Sequence, residues 1–465
     1  MAKQSTYYRP PVRFTLPAGS EPTPENIEKA VEELRKRQDR YEQLYDYYIG
    51  DQPILYRTME SDAAKNNKLV NNFCSYIAEI CADFLLGNPV DYQAPEDIDI
   101  DEIMKLYTNQ GMSDTDSDLA LDAGIYGVAY DLTFADENSE PQTVQIDTRN
   151  ALMVYDDSVK HNELFAITCA DETDDKRKTI GHVTVYTPSE TITGRLDGDK
   201  WIEENRTPHF FGEVPVSVYR NNKNATGNFE CVLGLVDAYN ILQSDRVNES
   251  EQLADAILML KNFTLTDENS ELLREKRLLT SVPADGDASY ITKPSNEADA
   301  DLLKNSIADD IHKFSKTPNL SDQNFVGNSS GVALSYKLLA FEEATKTRER
   351  HMEKGLKKRL RLYWNFKNRM TLKNANTDIN RVDVIFNRAL PKNDYETSQM
   401  INNLNGIVKP EILVKQLSFV DNAERALTPE AAAEDEPETA PETYPPVTAE
   451  EINADIEEKL AATEA

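Results

Sequence analysis

The stretch LVDAYNILQSDRVNESEQLADAILML, residues 235–260, decides the architecture of this chain. Apolar residues recur through it at the spacing of one helix face, which predicts a long helix over 234–262. Its middle, Gln243–Gln252, is almost wholly polar. A helix buried in a single core would keep its apolar stripe unbroken. The interruption therefore indicates a helix that leaves one packed body, crosses a water-filled space and enters a second body.

The chain after this helix predicts a compact piece followed by a second long helix. The compact piece, 263–297, is expected to hold a short helix and a hairpin that pairs Arg277–Val282 with Ala288–Thr292 around an Asp-Gly turn. A helical period then returns over 298–316. The two long helices therefore flank a small α/β unit.

Two further features follow the second helix. The segment Asn319–Gly331 is small and polar, and it is expected to be either a mobile surface turn or a functional loop. The longest predicted helix, 332–373, turns basic: from Lys337 to Lys373 there are twelve Lys or Arg against four Glu. Such a run is most often a solvated face that pairs with acidic neighbours, and the alternative is a surface for nucleic acid or another subunit.

The N-terminal region predicts an irregular arm and two helices. Residues 1–24 are rich in proline and favour an arm rather than a packed element. Thr23 is a candidate cap for a helix over 27–48, since Pro suits the first helical position and Gly the end. A second helix is expected over 71–86, with its two cysteines buried in the core.

Between 124 and 218 the apolar period changes to two, which indicates a block rich in strands. Five strands are predicted in it: 128–134, 143–146, 164–169, 182–186 and 191–195.

The C-terminal region predicts a strand at 378–387, helices at 394–404 and 409–417, and then a tail. From Pro429 to Ala465 there are twelve acidic residues against one lysine, together with five prolines. Such a segment holds too few apolar groups to offset chain entropy, so disorder is expected.

Composition excludes several classes of protein. The chain has 465 residues and a net charge of −32, and this charge argues against wrapping nucleic acid, because nonspecific affinity comes from Lys and Arg on phosphates. No apolar run reaches the length of a membrane helix, and Met1–Leu16 lacks the apolar core expected of a secretory signal. The four cysteines form no CxxC pair, which favours reduced thiols.

The sequence offers no catalytic, cofactor-binding or metal-binding motif. It contains no phosphate loop, no dinucleotide fingerprint, no HExxH and no GxSxG, and its five histidines are dispersed. Acidic clusters at Asp97–Glu102, Asp114–Asp118 and Asp171–Asp175 lack the EF-hand pattern. Solvated loop charge is the interpretation we favour for them, and a metal-dependent nuclease is the enzymatic alternative.

Several strings, taken in order, resemble the portal proteins of tailed double-stranded-DNA phages with long non-contractile tails. They are YYIG (47–50) followed by NNKLVNN (66–72), LGNPV (86–90), AGIYG (123–127), LVDAYN (235–240) with QSD (243–245) and LADA (253–256), and NSSGVA (328–333). No single string is diagnostic, but their order over residues 25–425 is.

The resemblance implies an α+β portal fold with a β-containing wing, a two-helix stem, a small α/β clip and a helical crown. Its regions would be a flexible N-terminal arm 1–24, wing 25–233, stem helices 234–262 and 298–318, clip 263–297, tunnel loop 319–331, long wing/crown helix 332–369, crown 370–425 and disordered acidic tail 426–465.

The resemblance also implies a non-enzymatic function. It implies a homo-oligomeric ring, typically of twelve subunits, at one capsid vertex of the virion. Double-stranded DNA would be packaged and ejected through this ring, which would be assembled in the host cytoplasm without membrane or cofactor. Partners would be the terminase large subunit, a head-tail adaptor, and the major capsid and scaffolding proteins. The alternative is an acidic scaffolding or minor head protein without a channel.

The resemblance assigns candidate residues to three regions. Neutral tunnel-loop side chains would touch phosphates weakly, acidic stem residues would repel them, and clip residues would meet the adaptor or motor. The basic run Lys354–Arg361 would face acidic neighbouring subunits or encapsidated DNA. The candidates are, in the tunnel loop, Asn319, Ser321, Asp322, Gln323, Asn324, Gly327, Asn328, Ser329 and Gly331; in the stem, Asp245, Glu249, Glu251, Asp255, Lys304 and Lys313; in the clip, Arg277, Asp285, Gly286, Asp287 and Lys293.

Overall fold

The computed structural model describes residues 10–59, 65–173, 179–254, 257–262, 286–291, 297–320, 331–371, 378–388, 394–404, 408, 410 and 413. The chain divides into two units, 1–390 and 391–465. The first unit is a mixed α+β body. Its helices, within these ranges, are α1 (Pro24–Ile49), α2 (Phe73–Leu86), α3 (Asp101–Asn109), α4 (Met112–Tyr126), α5 (Leu233–Ala254), α6 (Glu297–Ser315) and α7 (Gly331–Thr371). The second unit contains α8 (Asp394–Leu404).

The strands of the first unit form four sheets. They are β1 (Phe14–Leu16), β2 (Asp91–Gln93), β3 (Val128–Ala135), β4 (Pro141–Ile146), β5 (Ala151–Asp156), β6 (Glu163–Thr173), β7 (Thr179–Tyr186), β8 (Glu190–Asp197), β9 (Lys200–Pro208), β10 (Val216–Arg220), β11 (Ile257–Lys261), β12 (Asp287–Ile291) and β13 (Asp383–Ile385). The largest sheet has the order β1-β5-β6-β7-β8-β9, and a second has the order β10-β3-β4. The pairs β11-β12 and β2-β13 are each antiparallel.

Two cores meet along α1. One face of this helix, including Ile27 and Leu34, packs on the six-stranded sheet with Phe165 and Trp201. Further along, Leu44 joins α2, α4, α5 and the three-stranded sheet in the central core. The first helix therefore joins the large sheet to the helical part of the unit.

Local sequence signals set both ends of α1, as predicted. The Thr23 hydroxyl accepts a hydrogen bond from the Asn26 amide at 3.4 Å, and Pro24 is the first helical residue. Gly50 ends the helix with a φ of 89°, a left-handed conformation that suits glycine, and its amide bonds to the Asp46 carbonyl. The predicted helix α2 is also confirmed, and Cys74 and Cys81 are both buried free thiols.

The prediction of an unpacked arm over 1–24 is wrong for its second half. Phe14–Leu16 forms strand β1, which pairs in parallel with Val154–Asp156 of β5. Leu16 is buried in the core beneath the large sheet. The prolines that suggested an arm lie outside β1, so they remove no hydrogen bond from its pairing with β5.

The predicted block of strands is confirmed, and it contains further strands that the apolar period did not predict. The five predicted strands correspond to β3, β4, β6, β7 and β8. Strand β5 was missed because all six of its residues are buried, so it has no polar alternation. Strand β9 was missed because it is almost entirely exposed, and β10 was missed as well.

The predicted helix over 234–262 is too long. Helix α5 ends at Ala254, and Ile257–Lys261 forms strand β11. The predicted second strand of the hairpin exists as β12, and its partner within the described residues is β11. Residues 277–282, the predicted first strand, lie outside the described residues, as do 263–285 in general.

The remaining elements agree with their predicted positions. Helices α6, α7 and α8 match the predicted 298–316, 332–373 and 394–404 within a few residues. The predicted strand at 378–387 is confirmed as the shorter β13. Most of the predicted helix 409–417 and the whole acidic tail 426–465 lie outside the described residues.

Candidate functional site

Helix α5 carries a buried polar face where a core helix would carry an apolar one. Val236, Asn240, Ser244 and Asn248 recur at intervals of four residues and are all buried. Residues four apart lie on one face of a helix. The interrupted apolar stripe that the sequence shows is therefore a buried polar stripe along half of the helix.

The polar stripe binds segment 65–72 through a regular series of hydrogen bonds, which we call the polar ladder. The Asn240 side-chain oxygen accepts from the Asn71 amide at 2.8 Å, and the Ser244 hydroxyl accepts from the Leu69 amide at 3.0 Å. The Asn248 side-chain oxygen accepts from the Asn67 amide at 2.8 Å. Four helical residues rise about 6 Å and two extended residues span about 6.6 Å, so the contact points on the two segments have matching spacings. Residue numbers rise along α5 while those of its partners fall, so the two segments run in opposite directions.

Side chains reinforce both ends of the polar ladder. The Asn71 and Asn67 side-chain amides donate to the same oxygens of Asn240 and Asn248 at 3.1 and 3.0 Å. The Asn240 side-chain nitrogen donates to the buried Gln52 at 2.6 Å. Because the donors of segment 65–72 meet acceptors on α5 at fixed positions, these hydrogen bonds stabilise one register of the segment against the helix.

These residues were not predicted as a site. The strings at 66–72 and 235–245 contributed only their order along the chain, whereas the structure brings them into contact. A signal was available, because Asn240, Ser244 and Asn248 stand four residues apart. The prediction that 243–252 faces water is therefore wrong for Ser244 and Asn248.

Ion pairs connect α5 to its surroundings. Asp245, a predicted stem residue, accepts from Arg57 at 2.8 Å and remains half exposed. Arg246 pairs with Asp301 of α6 at 3.0 Å. The Tyr47 hydroxyl donates to Asp237 at 2.9 Å, while burial raises the pKa of that carboxyl. Two helices separated by the compact piece thus lie side by side.

The other predicted stem residues within the described ranges lie on the two helices, exposed except for the half-buried Lys304. Glu249 and Glu251 are exposed near the end of α5, and Lys304 and Lys313 lie on α6, where the Lys313 ammonium stands 5.5 Å from the Phe314 ring. Asp255 lies outside the described residues.

Few of the predicted tunnel-loop and clip residues lie within the described ranges. Asn319 lies just after α6, and Gly331 begins α7. Gly286 precedes β12, and Asp287 is its first residue, opposite Lys261. The residues outside the described ranges are Ser321, Asp322, Gln323, Asn324, Gly327, Asn328, Ser329, Arg277, Asp285 and Lys293.

The prediction of solvated loop charge at Asp114–Asp118 is wrong in part. These residues lie in helix α4 rather than in a loop, and Asp114 and Asp118 are exposed as predicted. Asp116, however, is buried 2.7 Å from the guanidinium of Arg359 on α7. The same guanidinium stands 3.5 Å from the buried Asp131 of β3, which accepts from the Tyr219 hydroxyl at 2.6 Å. Burial raises the pKa of Asp131, while the positive charge of Arg359 opposes that change.

The basic run of α7 also has its partners within the chain. Lys358 pairs with Glu163 and bonds the Val216 carbonyl, and Arg361 pairs with Glu213 at 3.1 Å. Arg359 is likewise paired to Asp116, so the charge of these three residues joins α7 to the strands and to α4. Contacts of the run with neighbouring subunits or DNA stay a prediction.

Two further observations concern metal binding and membrane spanning. Across the described ranges, no group of three or more His, Cys, Asp and Glu side chains is arranged to hold a metal ion. No helix in the same part of the chain is both long and apolar enough to cross a bilayer.

Comparison with known proteins shows which chains this one is similar to. The family described as phage portal protein, SPP1 Gp6-like, matches residues 27–440. The portal protein of Bacillus phage SPP1 is 23% identical over 439 residues, which cover 88% of this chain and 83% of that protein. The portal protein of Clostridium phage phiCD119 is 21% identical over 433 residues, covering 86% of this chain and 94% of that protein.

Proposed function

We propose that this chain, which belongs to the SPP1 Gp6-like family of phage portal proteins, forms a ring through which double-stranded DNA enters and leaves a capsid. Family membership makes it a structural component of the virion that serves DNA packaging, and not an enzyme. The observation that carries the proposal is the family match over 27–440, which includes the described parts of both long helices. The ring would contain twelve subunits at one capsid vertex.

The charge of α5 and α6 supports passage of DNA without adhesion. Residues 233–254 and 297–315 together carry nine acidic and three basic side chains. Acidic walls repel phosphates, so a duplex would slide past them rather than bind. Glu249 and Glu251 are exposed, as such a lining requires.

The regions of the chain would have distinct roles within the ring. The α5–α6 pair would form the stem, and the unit containing β11 and β12 would form the clip, which would contact the terminase large subunit and the head-tail adaptor. The body that holds the two larger sheets would form the wing, and residues 370–425 would form the crown. The major capsid and scaffolding proteins would contact the outside of the ring.

The segment between α6 and α7 would be the tunnel loop that contacts DNA. Its sequence, Asn319–Gly331, carries neutral donors and acceptors with a single charge, Asp322. Such side chains can touch the phosphate backbone weakly. Deletion of 322–329 is expected to leave ring assembly intact and to impair DNA packaging in an in vitro reaction. Normal packaging by the deletion variant would remove the segment from the DNA path.

Electron microscopy and mass measurement test the proposed ring directly. Negatively stained particles viewed down their axis should show a ring with a central hole. Their mass should be twelve times the 52.6 kDa of one chain. A chain that remains a monomer at high concentration, or particles without a hole, would contradict the proposal and favour an acidic head protein without a channel.

A further inference from the structure

A cavity of about 520 Å³ lies where the N-terminal segment, strand β10 and helix α7 come together. Its lining includes Val12, Tyr155, Arg220, Asn222 and Arg348. This volume is within the range of small-molecule sites in proteins. Helix α1, strands β3 and β5 and the end of α6 also contribute to the lining, so a ligand there would connect distant parts of the fold.

Two of the arginines that line the cavity are neutralised by carboxylates of their own. Arg37 pairs with Glu33 at 2.8 Å, and Arg40 pairs with Glu230 at 2.6 Å. These pairs need no further counter-charge. The cationic side chains that remain in the lining are Arg220, Arg348 and Lys316.

Arg220 and Arg348 have no carboxylate within ion-pair distance among the described residues. Arg348 is only 8% exposed, and its guanidinium lies 3.4 Å from the Thr345 hydroxyl and 5.9 Å from the centre of the Phe341 ring. The Arg220 guanidinium donates to the Tyr155 hydroxyl at 3.1 Å and stands over the same ring. Both arginines also line one smaller cavity, so their side chains lie near each other.

A third guanidinium lies near that of Arg220, although its residue is not part of the lining of the cavity. Arg13 lies 5.7 Å from the centre of the Tyr155 ring, on which Arg220 also rests. Burial and the neighbouring charge of Arg220 lower the pKa of Arg13. Lys316 adds a further cation to the lining of the cavity.

Such an accumulation of positive charge is unusual in a chain of net charge −32. A buried charge without a partner is costly, and like charges at close range add to that cost. Both residues line the cavity, and among the described side chains no nitrogen of Arg220 or Arg348 is both buried and without a hydrogen-bond partner.

We propose that this cavity binds an oxyanion of the phosphate class, held by Arg220 and Arg348, with Lys316 also in its lining. The planar fork of a guanidinium presents two parallel N–H groups that match two oxygens of such an anion. The bound anion neutralises the cluster and links the N-terminal segment, β10 and α7. It therefore stabilises the attachment of the N-terminal segment to the wing.

Isothermal titration of the full chain with sodium phosphate, at constant ionic strength set by sodium chloride, tests the site. One phosphate should bind per chain. Arg220→Met and Arg348→Met should each weaken binding at least tenfold. The matched control is Arg350→Met, which removes an exposed arginine from the same helix and should change the affinity less than twofold.

Folding of each variant is checked by near-ultraviolet circular dichroism. If Arg348→Met does not fold, Arg220→Lys replaces it, because this change keeps the charge and removes the fork; it should weaken binding at least threefold. Absence of saturable phosphate binding, or equal weakening by all the methionine variants, would overturn the proposal. The titration measures binding per chain, so its result does not depend on ring formation.

Discussion

Arg359 is among the largest side chains that the described fold buries completely, and its charge is matched by carboxylates from two other elements. Asp116 of α4 and Asp131 of β3 lie 2.7 and 3.5 Å from its guanidinium, and the Tyr107 ring lies 5.2 Å away. Burial alone would lower the pKa of Arg359, but the charge of Asp116 raises it. The arginine therefore stays charged and holds α4, β3 and α7 together.

Replacing Arg359 by Met should lower the free energy of unfolding by about 3–5 kcal/mol, because it leaves buried carboxylates without a partner. Urea-induced unfolding of the purified chain measures the change. The control Arg350→Met, on the exposed face of the same helix, should stay within about 0.5 kcal/mol of the native chain. Adding Asp116→Asn to the first variant should recover part of the loss. Equal effects of Arg359→Met and Arg350→Met would contradict a structural role for the ion pair.

Asp122 provides a pH-dependent prediction. Burial raises the pKa of this carboxyl from 3.8 to about 7, although the Gln145 amide, which donates to it at 2.7 Å, opposes the rise. The folded chain thus keeps a proton on Asp122 to about pH 7, whereas the unfolded chain loses it near pH 4. Because the unfolded state binds fewer protons between these values, Asp122 makes the chain less stable as pH rises through this window.

The Asp122→Asn variant should remove this loss. Compared with the native chain, it should gain about 1–3 kcal/mol of stability at pH 8 and almost nothing at pH 4. Urea unfolding at the two pH values gives the difference. The control Glu137→Gln changes an exposed carboxylate and should show no such dependence. A gain of the same size at both pH values would show that Asp122 does not titrate as inferred.

Residues whose role is set by neighbours in sequence could be predicted, and residues whose partner is distant could not. Thr23 and Gly50 act within one turn of α1, so their types and positions were sufficient. The burial of Asp116 depends on Arg359, which lies 243 positions later in the chain. A run of acidic residues looks the same in sequence whether its partner is water or a buried arginine.

At the scale of elements, the polar ladder shows how an interrupted apolar stripe can still be a buried face. The sequence gives the polar type of Ser244 and Asn248 but not the segment that covers them. That segment, 65–72, has no regular secondary structure of its own, and the backbone amides of Asn67, Leu69 and Asn71 obtain their partners from α5. Sequence patterns predict elements with a period, and this segment has none.

The polar ladder should be sensitive to single changes on α5. Asn248→Ala should cost about 1–3 kcal/mol of stability, because the partly buried Asn67 amide loses its acceptor. Hydrogen exchange of the Asn67 and Leu69 amides should become at least tenfold faster. Glu249→Ala, an exposed neighbour on the same helix, serves as the control and should leave both rates unchanged. Unaltered exchange in Asn248→Ala would show that the segment is held by other contacts.

The end of α5 illustrates a competition that sequence could not decide. Ile257, Leu258 and Leu260 continue the helical spacing of the apolar residues, yet they form strand β11. The same short apolar run fits either structure. Pairing with Asp287–Ile291 selects the strand. This partner strand is distant in sequence, so the local pattern of residues 257–261 does not predict the pairing.

At the scale of the whole molecule, charge is separated between the interior and the surface. Three basic residues of α7, Lys358, Arg359 and Arg361, are paired with Glu163, Asp116 and Glu213, whereas α5 and α6 keep exposed acidic residues. The order of short strings over 400 residues was sufficient to identify the family, since family identity resides in the sequence itself. The internal ion pairs were not foreseeable, because a local count of +8 does not show which carboxylates lie nearby.

Exposed leucines on α6 lead to a prediction about assembly. Leu302 and Leu303 are 70% and 51% exposed in the single chain. Apolar side chains placed next to each other on the proposed stem should be covered by the neighbouring subunit, and burying each contributes about 1.5–3 kcal/mol. The double change Leu302→Gln with Leu303→Gln should therefore raise the protein concentration at half assembly at least tenfold, as measured by sedimentation velocity.

The stability of the single chain separates an effect on assembly from an effect on folding. Since both leucines already face water, the free energy of unfolding of the dispersed variant should stay within about 0.5 kcal/mol of the native value. Val159→Gln is the matched control, because Val159 is 99% exposed near the end of β5 and lies on a different element. If the leucine variant forms rings at the same protein concentration as the native chain, the contact between subunits lies elsewhere. If the leucine variant and Val159→Gln weaken assembly equally, the effect reflects general surface hydrophobicity.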